Sequence, residues 1–372
     1  MIKGKAAVYK GPDAPFEVRD YSVVSPADDQ VLLKLERSGI CGTDVHIHTG
    51  RLAMPEQEMI IGHEFIGKIE ELGGGVIEDG LGQKLEVGDC CIACVAVPCL
   101  TCFNCKKGET ASCLNFGVTY LANPEESPHF LGGFAEYLHS PAINLIKIPD
   151  GLPLDSLAAF PCAGPTVIRA CEYGRQPEKD ELVVIQGSGP MGLFATSWAA
   201  KKGCHVVVIG SSSNPQRQTL AEQLGAELVL DYRNSTEEER LKIILELAEK
   251  LGRGNGADLV IETSGAPCAV SEGLNMLRTR GCYLVPGQYS SSGKIELSPE
   301  VITFKALQII GSGQYTLQDI KTYLDFIQNN PDLSDAFASC ISNKYHIEDV
   351  NEAIENATAG NSIKSVFIRN EK

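Results

Sequence analysis

Residues 182–192, Leu-Val-Val-Ile-Gln-Gly-Ser-Gly-Pro-Met-Gly, restrict the fold more than any other stretch. An uncharged, mostly apolar run of this kind suits a strand buried on both faces of a parallel sheet. The glycines after it fit G-x-G-x-x-G, a spacing that carries weight where it leaves a strand and opens a helix. Gly187 permits the tight turn, Gly189 lets backbone approach a pyrophosphate, and Gly192 lets helix and strand pack closely. Pro190 and Met191 then begin a helix expected over 190–202, whose N-terminus offers partial positive charge to an anion. Similar strand texture recurs at 205–209, 227–230, 258–262, 282–286 and 307–310, with helices expected at 215–224 and 236–251. Ser235, with Glu238 three residues on, reads as a capping box for the second of these. Six strands with helices between them make an α/β doubly wound parallel sheet, a dinucleotide-binding domain over 164–312.

Residues 1–163 have a different texture. Short alternating segments at 5–9, 30–37, 64–72 and 87–97, broken by Gly and Pro, suggest an antiparallel β-rich domain. Residues 313–372 add helical stretches near 317–328 and 347–358 and a strand at 365–368, which would complete that first domain.

Charge narrows the partners. Thirty-two basic residues against 48 acidic ones leave a net charge of −16, which repels phosphate backbones and anionic lipid. Nucleic acid and membrane are set aside on that ground, and no apolar run is long enough to span a bilayer. Residues 1–5 lack the apolar core of a signal peptide, so the expected compartment is cytoplasmic.

Fourteen cysteines in a compartment that keeps thiols reduced point to metal rather than disulfides. Cys99, Cys102, Cys105 and Cys113, spaced C-x2-C-x2-C-x7-C, suit a closed, all-thiolate structural zinc site. A ferredoxin-type iron–sulfur run ends C-x3-C-P instead; here the last gap is longer and Leu114 follows Cys113. Cys171, Cys204, Cys268, Cys282 and Cys340 sit among apolar neighbours and read as small buried hydrophobes.

Cys41, His63 and Cys162 would make a second zinc site with one position open to water or substrate. Metal there would polarise an alcohol oxygen, favouring the alkoxide that releases hydride to a nicotinamide. Glu64 is placed as an occasional ligand or a neighbour of the ligands. Asp44 would orient the His63 imidazole, Thr43 would accept the substrate proton, and His46 would relay it to water. At the cofactor, the second strand of an NAD binder should end in an acid that holds the adenosine ribose. This chain has Ser211 and Ser212 there, with Arg217 on the next helix, which leans the NAD(P) expectation toward NADP.

Taken together, Cys41-Gly42-Thr43-Asp44-Val45-His46, the run Gly62-His63-Glu64 with Gly67, Gly73 and Val76 behind it, and the four-cysteine lobe resemble the zinc-containing medium-chain alcohol dehydrogenases. The Cys2His ligand set is the one known for alcohol dehydrogenase. Leu157 through Thr166, with Cys162 inside it, resembles the segment that carries the family's last thiolate ligand. The resemblance implies a GroES-like β-rich domain carrying both zincs and a Rossmann cofactor domain. It also implies cofactor contacts from Thr166, Gly265, Gly287 and Lys364, and a homodimer or homotetramer joined through cofactor-domain sheets. The expected activity is hydride transfer between a small-molecule alcohol and NAD(P). A polyol, sugar or amino-alcohol dehydrogenase is the alternative within the family. A zinc-free quinone reductase would lack Cys41, His63 and the lobe, and a non-enzymatic relative would be expected to have lost ligands.

Overall fold

The computed structural model describes residues 2–94, 96–287, 290 and 292–370. The chain forms two compact units, Met1–Cys162 with Tyr315–Lys372, and Ala163–Gln314. In the second unit six parallel strands lie in the order Leu228–Asp231, His205–Gly210, Leu182–Gln186, Ala257–Glu262, Leu277–Pro286, Gln308–Ser312. Val184, Val207, Ile209 and Val260 pack its core against Ile244, Ala248 and Leu274 of the covering helices. Branched residues suit a pleat with helices on both faces.

Two turns of this unit differ from expectation. The helix Glu237–Lys250 is capped by Thr236, whose hydroxyl accepts from Glu239 N–H, with Glu239 reaching back to Thr236 N–H. Ser235 is not the cap because its hydroxyl donates to the Asp231 carbonyl at 2.6 Å, closing the turn that ends the preceding strand. That strand also runs one residue further than expected, through Asp231. At the opposite strand ends, fully buried Asp258 accepts from Leu182 N–H, Arg253 and Arg278 at 2.6–2.9 Å.

The first unit is built on a seven-stranded sheet. Its main order is Ile341–Tyr345, Lys364–Ile368, Gln30–Ile40, Glu64–Leu72, Cys90–Ala93, Leu145–Lys147, with Tyr137–Pro141 pairing the long strand Gln30–Ile40. The expected strand over 87–97 is two, Cys90–Ala93 and Ala96–Val97. Ile341–Tyr345 and the short helix Ser334–Ser339 escaped the sequence reading. The long strand is a scaffold: Gly39 faces Glu64 on one side, and Ile40 faces Ser365 on the other. A Cβ built on Gly39 would strike Glu64 Oε2 and lie 2.8 Å from Lys364 Cε. Only glycine lets those two side chains meet over the strand. Of the five cysteines expected in cores, Cys171, Cys204, Cys282 and Cys340 are buried, but Cys268 is exposed near the start of the helix Pro267–Met276.

Candidate functional site

Where the strand Gln30–Ile40 ends, Cys41 caps the helix Gly42–His48. Asp44, completely buried, accepts from Cys41 N–H at 2.8 Å and lies 3.2 Å from His63 Nδ1. One carboxylate thus fixes the helix start and the imidazole together, and leaves the Nε2 lone pair of His63 to serve as the ligating atom. The donor atoms of Cys41, His63, Glu64 and Cys162 all lie within 4.8 Å of one another. Two sulfurs and an imidazole suit zinc, whose usual ligands are soft thiolates and imidazole. The Cys162 thiol, aided by His63, holds Cys41 well below the ordinary thiol value, while Cys162, facing that thiolate and buried, is held well above it. A cation that takes both sulfurs as thiolates resolves this sharing of one proton.

Glu64 is almost fully buried, and its carboxylate is paired with the Lys364 ammonium. Burial pushes the Glu64 carboxyl up to about 7 against the pull of Lys364. Burial likewise works against the lysine charge, but Glu64 and Cys41 outweigh it and hold its pKa above the ordinary value. We take the ionised pair as the resting state, since each group supplies the other's counter-charge. The sequence reading put Lys364 at the cofactor. Its ammonium pairs with Glu64 at the metal-ligand cluster, because the strand Lys364–Ile368 runs beside Gln30–Ile40.

Thr43 and His46 project from the same short helix as Asp44. Thr43 Oγ1 lies 3.9 Å from Cys41 Sγ. His46 is held below the ordinary histidine value, mainly by burial and then by the charge of Arg51. Its Nδ1 has no hydrogen-bond partner among the described residues. A neutral imidazole with a free nitrogen can accept a proton near neutral pH.

The sulfurs of Cys99, Cys102, Cys105 and Cys113 also cluster within 4.8 Å. Backbone N–H groups converge on them: Cys99 on Cys113 at 3.3 Å, Cys102 on Cys99 at 3.3 Å, and Leu114 on Cys102 at 3.4 Å. Donors from Thr101 bring the Cys99 thiol down to about 5, while burial and its cysteine neighbours push Cys105 up to about 12. Four sulfurs ringed by donors form a closed thiolate cage that fits a structural zinc.

In the second unit, Gly187 has φ +121°, and a Cβ on Gly192 would collide with the Gly187 carbonyl. Gly189 caps the helix Pro190–Lys201, with Pro190 in its first turn and Met191 beside it. Across the sheet, buried Glu262 accepts from Ser264 N–H at 2.7 Å and Gly265 N–H at 3.2 Å. Gly265 has φ +68° and Gly287 φ +83°, and a Cβ on Gly287 would come 2.9 Å from Met191 Cε. Thr166 is buried within the helix Ala163–Tyr173. Ser211 and Ser212 line a recess with Ser188, Gly210, Gln218 and Asp231. Arg217 is not among the residues lining it; its side chain is half-buried, and burial, against the opposing pull of Tyr232, holds its pKa below the ordinary value. Asp231 and Gln218 were missed by the sequence reading. The available signal was an acid at the end of the third strand, which parallel pairing sets beside the second.

Fold and donor set together define a zinc-binding dehydrogenase. Residues 27–150 match the alcohol dehydrogenase GroES-like domain family, and residues 190–329 the zinc-binding dehydrogenase family. The chain is 32% identical over 354 residues to 5-exo-hydroxycamphor dehydrogenase of Pseudomonas putida, spanning 94% of this chain and 95% of that one. It is 30% identical over 360 residues to L-threonine 3-dehydrogenase of Pyrococcus horikoshii, spanning 95% and 94%. The crystal structure of an alcohol dehydrogenase from Thermotoga maritima superposes with a TM-score of 0.90 at 26% identity, covering all of both chains. The protein belongs to the zinc-containing medium-chain alcohol dehydrogenases, with a GroES-like domain and a Rossmann-like parallel sheet. Among the described residues, no helix is long and apolar enough to cross a membrane.

Proposed function

We propose that this protein oxidises a secondary alcohol to a ketone, or catalyses the reverse, with NAD(P) as hydride partner and two zinc ions per chain. The observation that carries the proposal is the convergence of Cys41, His63 and Cys162 beside Glu64. Those residues would hold the catalytic zinc, and Cys99, Cys102, Cys105 and Cys113 the structural one. When bound, the catalytic ion supplies Lewis acidity that lowers the cost of removing a hydroxyl proton. Thr43 accepts that proton at Oγ1 and gives up its own hydroxyl proton, which the relay through His46 passes to water. Asp44 keeps the His63 ring turned so that Nε2 faces the ligand cluster. Gly187, Gly189 and Gly192, with the helix start at Pro190 and Met191, cradle the dinucleotide pyrophosphate. Thr166, Gly265 and Gly287 complete the cofactor site.

Hydroxycamphor and threonine, named for the two relatives above, both carry the reacting hydroxyl on a secondary carbon. That shared chemistry supports the secondary-alcohol reading over a primary one. In keeping with the family, the working form is a homodimer or homotetramer. The test is a panel of primary, secondary and polyhydroxy alcohols with each dinucleotide, read by nicotinamide absorbance on zinc-replete protein. Turnover with secondary alcohols, lost in Cys41→Ser while the fold is retained, is expected. Full activity in Cys41→Ser, or none in the parent with any alcohol, defeats the assignment.

A further inference from the structure

The strand His205–Gly210 is followed by Ser211, without the carboxylate expected to hold an adenosine ribose. The fold supplies one from the neighbouring strand. Parallel pairing sets Asp231 directly beside Gly210, and both line the recess that also takes in Ser211, Ser212 and Gln218. The recess lies one strand end away from the Gly187–Gly192 turn, and Ser188 of that turn is part of its wall.

Asp231 is held in place. Its Oδ1 accepts from Arg233 N–H at 3.0 Å and its Oδ2 from the Asn234 amide at 2.6 Å. Ser212 donates to the same carboxylate and, ahead of the Arg233 backbone, keeps it below the ordinary aspartate value. The wall therefore presents one fixed anion, serine hydroxyls and an amide. No cation lines it among the described residues: Arg217 and Arg233 are both absent from the lining. A ribose diol offers donors that such a wall can satisfy. A 2′-phosphate would place nearly two negative charges against a carboxylate that the Arg233 charge, from outside the lining, only weakly offsets.

We propose that Asp231 makes this recess select NAD over NADP, reversing the preference read from the sequence. The proposal rests on the dinucleotide reading of the unit and names which dinucleotide it takes.

Calorimetric titration of the zinc-loaded full chain with NAD+ and with NADP+ tests it without reference to turnover. The parent is expected to bind NAD+ at least about tenfold more tightly, the size of one carboxylate–phosphate repulsion at partly screened range. Asp231→Asn should narrow that ratio by on the order of tenfold, chiefly through tighter NADP+ binding. Raising salt should narrow the ratio in the parent and leave the variant unmoved, because only a charge effect is screened. If Asp231→Asn fails to fold, Gln218→Lys puts a cation in the same recess and should favour NADP+ by a similar factor. A parent that prefers NADP+, or a folded Asp231→Asn with an unchanged ratio, overturns the role of Asp231 while the dinucleotide site stands. If the parent binds neither dinucleotide, the dinucleotide reading fails and takes this proposal with it.

Discussion

Replacing His139 with leucine is expected to remove a loss of stability that the parent suffers on mild acidification. The imidazole lies on the strand Tyr137–Pro141, opposite Leu32, and is completely buried. Neither ring nitrogen has a hydrogen-bond partner among the described residues. Burial, helped by the charge of His129, pushes its pKa from 6.5 down to about 4. Above 6.5 the folded and unfolded chains both carry it neutral, and its contribution does not vary. As pH falls the unfolded chain takes up the proton first, so stability drains away between 6.5 and about 4. Linkage puts the loss at about 2 kcal/mol by pH 5 and about 3 kcal/mol below pH 4. Other groups titrate in the same window, but they do so in parent and variant alike, and the difference isolates His139. Urea unfolding near neutral pH and near pH 5, followed by circular dichroism, measures it; the single Trp198 lies in the other unit and would report on the wrong core. The free-energy gap between parent and His139→Leu should move by about 2 kcal/mol in the variant's favour on acidification. Equal losses in both proteins would refute the claim that the fold keeps this imidazole neutral.

Cys102→Ser should leave one zinc per chain instead of two by metal analysis and lower the melting temperature, since a structural zinc contributes folding free energy directly; an unchanged metal count removes the lobe as a site. Asp258→Asn strands two guanidinium groups that share its buried carboxylate. Because those arginines are partly solvated, a cost of about 2–3 kcal/mol in unfolding free energy is expected, below the range for a wholly buried pair, and a loss under ~0.5 kcal/mol would count against the network. Gly39→Ala forces a methyl group between Glu64 and Lys364. It should cost about 1–3 kcal/mol and depress turnover together, whereas parent-like stability and rate would mean the strand yields there freely.

Local chemistry made much of this protein legible in its sequence. The strand Leu182–Gln186 and its glycine turn were readable because a doubly buried strand and a tight strand-to-helix turn each demand a few residue types at fixed spacing. The ligand clusters were readable for the same reason, since thiolates and imidazole have few other uses in such patterns. What escaped depends on register between distant segments. Nothing near Glu64 in the sequence announces Lys364, and only the pairing of three strands across Gly39 brings them together. Asp231, the proposed ribose partner, was harder to read because the pairing that sets it beside Gly210 joins two different strands. The misplaced cap at Ser235 had a subtler cause: two adjacent hydroxyl residues competed for the role, and the Asp231 carbonyl claimed the first.

Lys364 answers Glu64 across 300 positions of chain. A ribosome making this protein therefore delivers every candidate ligand of the catalytic ion long before it delivers the counterion that neutralises the fourth. Until the last strand is laid in, Glu64 lacks the charge that balances it in the folded domain, and the second unit has to be made in between. Removing the strand Lys364–Ile368 would thus disturb the candidate metal-ligand cluster, although it lies 300 positions from Glu64 in sequence.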